Sequence, residues 1–181
     1  MIVVDDFSSD GTYGVVERIQ KSDDRIFLHK MERNSYSGKC RNWGIENGPI
    51  GKYILFLDAD DTYSSDLSLQ YIYDTIVGND FPEIVKCSFN YVNFKNGTKK
   101  PIIFENRLEN ITRYEAPWTL ASASYVCSRF VEGRKKFNDV IWNMSTIDSA
   151  NSWAVVQHPI VDYHINENPL SLQYGNDKYD I

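Results

Sequence analysis

The sequence predicts an α/β domain in which strands and helices alternate. Three observations predict it: short apolar or β-branched segments of strand length, amphipathic segments between them, and acidic or glycine-containing turns after the strands. The predicted strands and helices of the first half alternate strictly, at residues 2–4, 12–21, 25–30, 38–46, 53–57 and 67–77. This order is typical of a sheet covered by helices.

The segments of the first half carry different signals. The helix at residues 12–21 places its β-branched residues on one face. The run at residues 53–57 is continuously apolar and of strand length, which predicts a strand covered on both faces. The helix at residues 67–77 is predicted to start with Ser64 or Ser65 as its N-cap.

The second half of the chain is more mixed. Residues 84–94 and 99–104 flank Asn96-Gly97, a dipeptide that strongly favours a hairpin turn. Residues 137–151 show apolar positions at helical spacing, and residues 153–156 are predicted as a late strand. The chain shows no repeat and no low-complexity linker, so we predict a single domain over residues 1–181.

Composition excludes several classes of protein. The net charge of -6 and the pI of about 5.0 provide no basic surface for nucleic acid. Three widely spaced cysteines without a CxxC pair argue against a disulfide framework or a zinc site and favour a reducing compartment. No apolar run approaches the roughly 20 residues of a membrane span, and no signal-peptide pattern is present. We therefore expect a cytoplasmic protein with at most a peripheral membrane contact.

Three carboxylates follow the apolar run within four residues: Asp58, Asp60 and Asp61. Like charges this close are costly unless a cation or a set of donors neutralises them. Carboxylate oxygens at the end of a strand favour Mg²⁺ or Mn²⁺ held together with a phosphate-bearing ligand. The alternative is that one carboxylate caps the next helix and the others are solvated.

The same run also fits the DxDx(T/V) strand-end motif of haloacid-dehalogenase-type phosphatases. In that interpretation Asp58 is the nucleophile and Asp60 the general acid, with Ser88 as the hydroxyl after a second strand. No late pair of aspartates follows, and such a phosphatase needs one. The sequence therefore favours this alternative less.

Three further motifs occur in order: VVDDFSSDGT at residues 3–12, GKCRNWGI at residues 38–45 and GKYILFLDADD at residues 51–61. Together they resemble the family 2 glycosyltransferases, a GT-A group that uses nucleotide-sugar donors. FVEGRKKFNDV at residues 130–140 is similar to the family's F-x-E-G-x-x-x-E-D-V segment, with Asn138 where the family usually has Glu. The resemblance covers nearly the whole chain and disfavours the phosphatase.

The family usually begins with a further strand, a P-x-Y-N turn and a helix, and we expect this chain to lack them. A neighbouring strand would then present an open edge, through which a homo-dimer could form. The same departure leaves a second interpretation open, that of a non-catalytic GT-A remnant serving as a binding module.

The resemblance implies a GT-A-type nucleotide-binding, Rossmann-like mixed sheet flanked by helices. Residues 1–105 would be the nucleotide-sugar-binding half and residues 106–181 the acceptor-binding half. The implied activity is transfer of a sugar, with inversion, from a nucleotide-diphosphate-sugar, UDP-sugar above all, to an acceptor hydroxyl. The acceptor would be a saccharide or a lipid-linked saccharide in surface polysaccharide synthesis.

The resemblance also implies the site residues. The donor-binding residues would be Asp5, Asp6, Arg41 and Asp58. Asp60 would hold Mn²⁺ or Mg²⁺, with His164 as an additional metal ligand, and Asp139 would be the catalytic base. Trp118 and Trp142 could stack on an acceptor sugar, but a place in an aromatic core or at its rim is favoured for both.

Overall fold

A computed structural model of the chain describes residues 1–48, 51–93, 95–107, 119–122 and 138–165. The helices and strands of the described residues, in chain order, are β1 (Ile2–Asp5), α1 (Thr12–Gln20), β2 (Phe27–Lys30), α2 (Tyr36–Asn47), β3 (Tyr53–Ile54), β4 (Thr62–Tyr63), α3 (Ser68–Gly78), β5 (Ile84–Asn93), β6 (Lys99–Ile102), β7 (Thr119–Ser122), α4 (Asn138–Ser149) and β8 (Trp153–Ile165).

The described strands form two sheets. β1 and β2 make a parallel pair, with Ile2 opposite Phe27 and Asp5 opposite Lys30. The other six strands make a mixed sheet in the order β3-β7-β5-β8-β4, and β6 adds to β5 beside β7. In this larger sheet β5 and β8 are parallel and the other pairs antiparallel. The predicted α/β class with a mixed sheet flanked by helices is therefore confirmed.

β5 is the central strand of the larger sheet. One of its edges pairs with β7 and then β6, and the other edge pairs with β8. The turn from β5 to β6 contains Gly97 in the left-handed region, at φ 68°, and the Gly97 amide donates to the Asn93 carbonyl over 2.8 Å. The hairpin predicted from Asn96-Gly97 is confirmed.

The acidic turn is preceded by a shorter strand than predicted. Only β3, two residues long, is a strand within the predicted run at residues 53–57. The prediction that this run is covered on both faces is wrong, because residues 53–56 are half-buried and Leu57 is 39% exposed. Among the described strands β3 pairs only with β7, so no ladder continues the strand towards the turn.

β8 is longer than the predicted strand at residues 153–156. It runs on through Pro159 to Ile165, with register shifts relative to β5 on either side of Ser88, which lies opposite Pro159. Proline cannot donate to a ladder and is tolerated at such irregularities. The proline therefore marks a bulge rather than the end of the strand.

The predicted serine cap of α3 is wrong in position. The helix starts at Ser68 and the residue before it, Leu67, makes no side-chain cap. The Ser65 hydroxyl instead accepts the Leu67 amide over 3.3 Å, and the Ser65 amide donates to the Ser68 hydroxyl over 3.2 Å. The serines therefore shape the turn that precedes the helix.

α2 links the two sheets. A Cβ placed on Gly44 would lie 3.8 Å from Ile2 Cγ2 and 3.9 Å from Val4 Cγ2, so this face of the helix lies close against β1. Ile45, on the same helix, belongs to the buried cluster of the larger sheet. Trp142 of α4 lies in that cluster as well, with its ring edge-on to Phe56 at 5.4 Å, so it belongs to the aromatic core. Trp118 lies outside the described residues.

The described helices are short relative to a bilayer. None of them is long and apolar enough to cross a membrane within the described part of the chain.

Candidate functional site

The acidic turn lies between two strands of the larger sheet. Its chain reverses through a hydrogen bond from the Asp61 amide to the Asp58 carbonyl, 3.1 Å long. The following strand β4 then pairs with β8, with Thr62 opposite Asp162. The turn is therefore joined directly to the larger sheet at its C-terminal end, through β4, whereas residues 55–57 separate its other end from β3.

Arg41 and Asp58, both predicted to bind the donor, meet in the structure. Arg41 extends from α2, its side chain only 14% exposed, and its guanidinium forms an ion pair with the Asp58 carboxylate. The same guanidinium carbon lies 6.0 Å from the centre of the Phe56 ring. The motif on α2 and the motif after β3 therefore form one site.

Asp61 is the most unusual carboxyl group of the turn. It is 6% exposed, Oδ1 accepts the His164 amide over 3.2 Å, and Oδ2 is buried without a hydrogen-bond partner. Burial, with Asp60 and Asp58 nearby, raises the pKa of Asp61 to about 7 although the His164 amide opposes this. The sequence alone predicted an acidic turn with three aspartates, but it did not reveal that one of them is buried.

His164 lies beside the acidic turn near the end of β8. Its ring Nε2 is 3.3 Å from the Thr62 hydroxyl, and its amide is the donor to Asp61. Across the described ranges there is no group of three or more His, Cys, Asp or Glu side chains able to hold a metal ion. Magnesium is often held by one or two carboxylates together with phosphate oxygens of a ligand, so exposed Asp60 beside Asp58 fits an ion that binds with a diphosphate.

Asp5 ends β1 and is buried. Its Oδ2 accepts the Ser8 amide over 3.1 Å, and the Lys30 ammonium lies 3.8 Å away. Lys30 also donates to the Ser8 carbonyl over 3.0 Å. The sequence did not single out Lys30, because nothing in the second strand's pattern indicates that its side chain returns to the turn after the first.

Asp6 holds the start of α2. Its two carboxylate oxygens accept the amides of Ser35, over 2.6 Å, and Tyr36, over 2.8 Å. These amides belong to the exposed donors at a helix N-terminus, where negative charge is favourable. Burial, with Asp6 nearby, raises the pKa of the Cys40 thiol to about 12, so Cys40 is a neutral core residue.

Asp139 is the second residue of α4, in the first turn of that helix. Its side chain and most of the predicted segment at residues 130–140 lie outside the described residues. Its role as the catalytic base stays a prediction.

The sequence has recognisable relatives. The family profile described as "Glycosyl transferase family 2" matches residues 1–142. The Bacillus subtilis (strain 168) protein TuaG, named as a glycosyltransferase of teichuronic acid biosynthesis, is 41% identical over 66 residues, 36% of this chain and 26% of that protein. A Campylobacter jejuni protein named GalNAc(5)-diNAcBac-PP-undecaprenol β-1,3-glucosyltransferase is 43% identical over 63 residues, 34% of this chain and 20% of that protein. The matches thus span about a quarter or less of these relatives.

The fold also has solved counterparts. The structure of S. aureus TarS residues 1–349 in complex with UDP-GlcNAc superposes with a TM-score of 0.78 at 21% identity, over 92% of this chain and 49% of that one. The complex of the same TarS fragment with UDP gives a TM-score of 0.75. At this identity the likeness establishes the GT-A fold. The family profile covers well over half of the sequence and includes the three motifs, of which the second and third meet at the Arg41–Asp58 ion pair. The chain therefore belongs to glycosyltransferase family 2.

Proposed function

We propose that this chain carries the donor site of a glycosyltransferase that moves a sugar from a nucleotide-diphosphate-sugar, UDP-sugar above all, to an acceptor hydroxyl with inversion. The Arg41–Asp58 ion pair is the observation that carries the proposal, because it brings two family motifs together at one acidic turn. The chain spans about half of the TarS fragment, so the activity of a whole protein is part of the proposal.

The donor would bind along the carboxyl ends of β1 and β2. Ligands of open α/β sheets bind at this edge, and Asp5 and Asp6 lie there. Asp6 already accepts two helix amides, but each carboxylate oxygen has a second lone pair for a base or a ribose hydroxyl. The Arg41 guanidinium could stabilise the negative charge of the diphosphate after exchanging part of its contact with Asp58.

Asp60 is the residue proposed to hold Mn²⁺ or Mg²⁺, with Asp58 beside it and His164 as a further ligand. Bound there, the ion would offset the charge of the leaving nucleoside diphosphate. The support is that Asp58 and Asp60 are both exposed to solvent at this turn, whereas Asp61 is buried and accepts the His164 amide.

Asp139 is proposed as the general base. The acceptor oxygen would attack C1 of the sugar from the face opposite the diphosphate, so the bond from C1 to the phosphate oxygen breaks as the new C1–O bond forms. The acceptor proton would pass to the Asp139 carboxylate. A base in this position typically contributes about 10²–10⁴ in rate.

The acceptor and setting are proposed from the relatives. The TuaG name mentions teichuronic acid, and the Campylobacter name mentions an undecaprenol diphosphate saccharide. We therefore propose a saccharide or lipid-linked saccharide acceptor, presented to residues 106–181, in surface polysaccharide synthesis at the cytoplasmic side. A homo-dimer through the second edge of β1 is part of the same proposal.

A non-catalytic binding module is the second candidate. It is favoured by one observation: within the described strands β1 pairs only with β2. The carboxyl ends of β1 and β2, here called the donor edge, therefore belong to a sheet of only two described strands. The phosphatase alternative has lost its support. Asp58, its would-be nucleophile, is paired with Arg41, and the family profile belongs to glycosyltransferases.

The test is calorimetric titration of UDP into the chain with and without Mn²⁺. We expect binding that requires Mn²⁺, that Asp60→Ala abolishes and that Asp24→Ala, an exposed aspartate away from the turn, leaves unchanged. Turnover is then measured by release of UDP from UDP-sugars. Metal-dependent binding without release would favour the binding module, and no binding of UDP, GDP or dTDP by folded protein would overturn the donor site.

A further inference from the structure

Phe7 combines two costly features. It follows Asp6 at the end of β1, its backbone lies in the left-handed region at φ 63°, and the residue is 51% exposed. A bulky residue with a Cβ is strained in this region, where glycine is not. The folded chain thus keeps a large apolar ring partly in water on a strained backbone. Strained residues of this kind persist only where the surrounding structure enforces them, and they cluster at functional sites.

Lys30 lies beside the Phe7 ring. The Lys30 ammonium lies 5.7 Å from the centre of the Phe7 ring and 5.2 Å from that of Tyr13. Lys30 is itself fixed by the Ser8 carbonyl and the Asp5 carboxylate. An anchored cation beside the ring restricts the positions the ring can take, and any such restriction lowers the entropy lost on binding.

Strained aromatic residues gather around one carboxylate. Phe7 is bonded to Asp6, and Tyr36, at φ 65°, donates its amide to the Asp6 carboxylate. The other left-handed residues with side chains in the described chain are Asp80 and Phe81, which end α3 through a bond from the Phe81 amide to the Ile76 carbonyl. Helix termination explains the second pair and does not explain Phe7.

We propose that Phe7 is the platform on which the nucleobase of the donor stacks. This inference rests on the proposed function and adds to it the residue on which the base stacks. The ring lies at the carboxyl end of two parallel strands, the edge at which α/β sheets bind nucleotides. Stacking on one aromatic ring changes the affinity for a base by about tenfold.

Phe7→Gly separates a binding role from a structural one, because the two effects have opposite signs. Glycine removes the left-handed strain, so the midpoint of urea unfolding should rise, while the affinity for UDP in Mn²⁺ should fall about tenfold. Phe7→Tyr keeps the ring and should keep the affinity. Binding of ribose 5-diphosphate, which has no base, should be equal in wild type and Phe7→Gly.

Phe81→Gly is the matched control. Phe81 is also aromatic, 46% exposed, left-handed at φ 57° and in contact with a lysine, Lys52, whose ammonium is 3.5 Å from the ring centre. Its replacement should raise the urea midpoint without changing the affinity for UDP. Equal UDP affinity in Phe7→Gly and Phe81→Gly, with wild type binding normally, would overturn the platform and leave the donor site intact. Failure of wild type to bind UDP, GDP or dTDP would overturn the donor site and the platform together.

Discussion

The two sheets of this molecule are packed very differently. In the larger sheet the first seven residues of β5 are all buried, whereas in the smaller sheet only Asp5 of β1 is buried and α1 has no buried residue. β5 has strand partners on both edges, and β1, within the described part, has a partner on one. Burial here follows the number of neighbours and not the apolar character of the strand, since β1 is itself β-branched.

The candidate site lies where these two regions meet. The larger sheet fixes the acidic turn, and the smaller sheet supplies Asp5, Asp6 and Phe7. α2 joins them, since Asp6 holds its first turn and Arg41 reaches Asp58. A ligand bound across this junction would stabilise the lightly packed region most, because regions with few buried contacts open most easily.

The largest expected difference between the two regions is in the free energy of unfolding that is lost when one of their isoleucines is truncated to alanine. Ile160→Ala in β8, where the side chain is fully buried, should lower the free energy of unfolding by about 2–5 kcal/mol. Ile2→Ala in half-buried β1 should lower it by about 1 kcal/mol. Urea unfolding followed by circular dichroism measures both. Equal losses would show that the two sheets are packed equally well in solution.

Asp61→Asn tests the buried carboxyl at the junction in ligand-free protein. The pKa is about 7 in the folded chain and 3.8 ordinarily, so between these values the folded chain keeps a proton that the unfolded chain releases. The wild type therefore loses stability as the pH rises through this window. Asparagine removes that slope and retains the acceptor for the His164 amide. Above pH 7 we expect a gain of about 2 kcal/mol, since a buried amide without an acceptor offsets part of the full effect.

Urea unfolding at several pH values between 4 and 8 provides the measurement. Asp66→Asn, at an exposed position before α3, is the control and should keep the wild-type slope. A wild-type slope in Asp61→Asn as well would assign the pH dependence to another group.

The predictions from sequence agree with the structure for features that depend on residues close together in the chain. The acidic turn could be predicted because its three aspartates directly follow an apolar run, and the hairpin because Asn96-Gly97 is a turn by itself. The predicted residues Arg41 and Asp58 are in contact, which the motifs implied only through the family.

The features that sequence did not predict depend on distant partners. The Asp6 carboxylate accepts the amides of Ser35 and Tyr36, which lie 29 and 30 positions further along the chain. The Asp61 carboxyl group accepts an amide that lies 103 positions away. The short strands β4 and β7 exist only through their pairing with β8, β3 and β5. No local pattern encodes such contacts, so periodicity could not reveal them.

Removal of an ion pair should also lower the free energy of unfolding to different extents in the two regions. The difference should be smaller than that for the isoleucines. Burial alone would raise the pKa of Asp162, but hydrogen bonds from Lys99, Asn90 and Ser64 outweigh it and lower the pKa. This stabilisation is present above the ordinary value of 3.8 and is lost as the pH falls through the lower folded value. Lys99→Met should therefore cost about 1–2 kcal/mol at pH 7, because Lys99 is half exposed and solvent screens part of the pair.

Arg25→Met is the matched change in the smaller region. Arg25 and Asp23 form a similar ion pair at the surface before β2, and their solvent exposure should make its loss unmeasurable. Urea unfolding at pH 7 and pH 3 compares the two variants, and the Lys99→Met loss should shrink at the lower pH. Equal losses at pH 7 would contradict the difference in burial between the regions.

Gly14→Ala has the smallest expected effect and tests whether the two regions unfold together. A Cβ at Gly14 would meet only the end of Arg18, at 3.9 Å, so alanine fits in α1 and should stabilise that helix by about 0.5 kcal/mol. If the chain unfolds as one unit, the main urea transition should shift by this amount, as we expect from the α2 link. If the small sheet opens by itself, hydrogen exchange in α1 should slow while the main transition stays in place. That second result would mean that the donor edge is ordered independently of the acidic turn and that Arg41–Asp58 does not couple them.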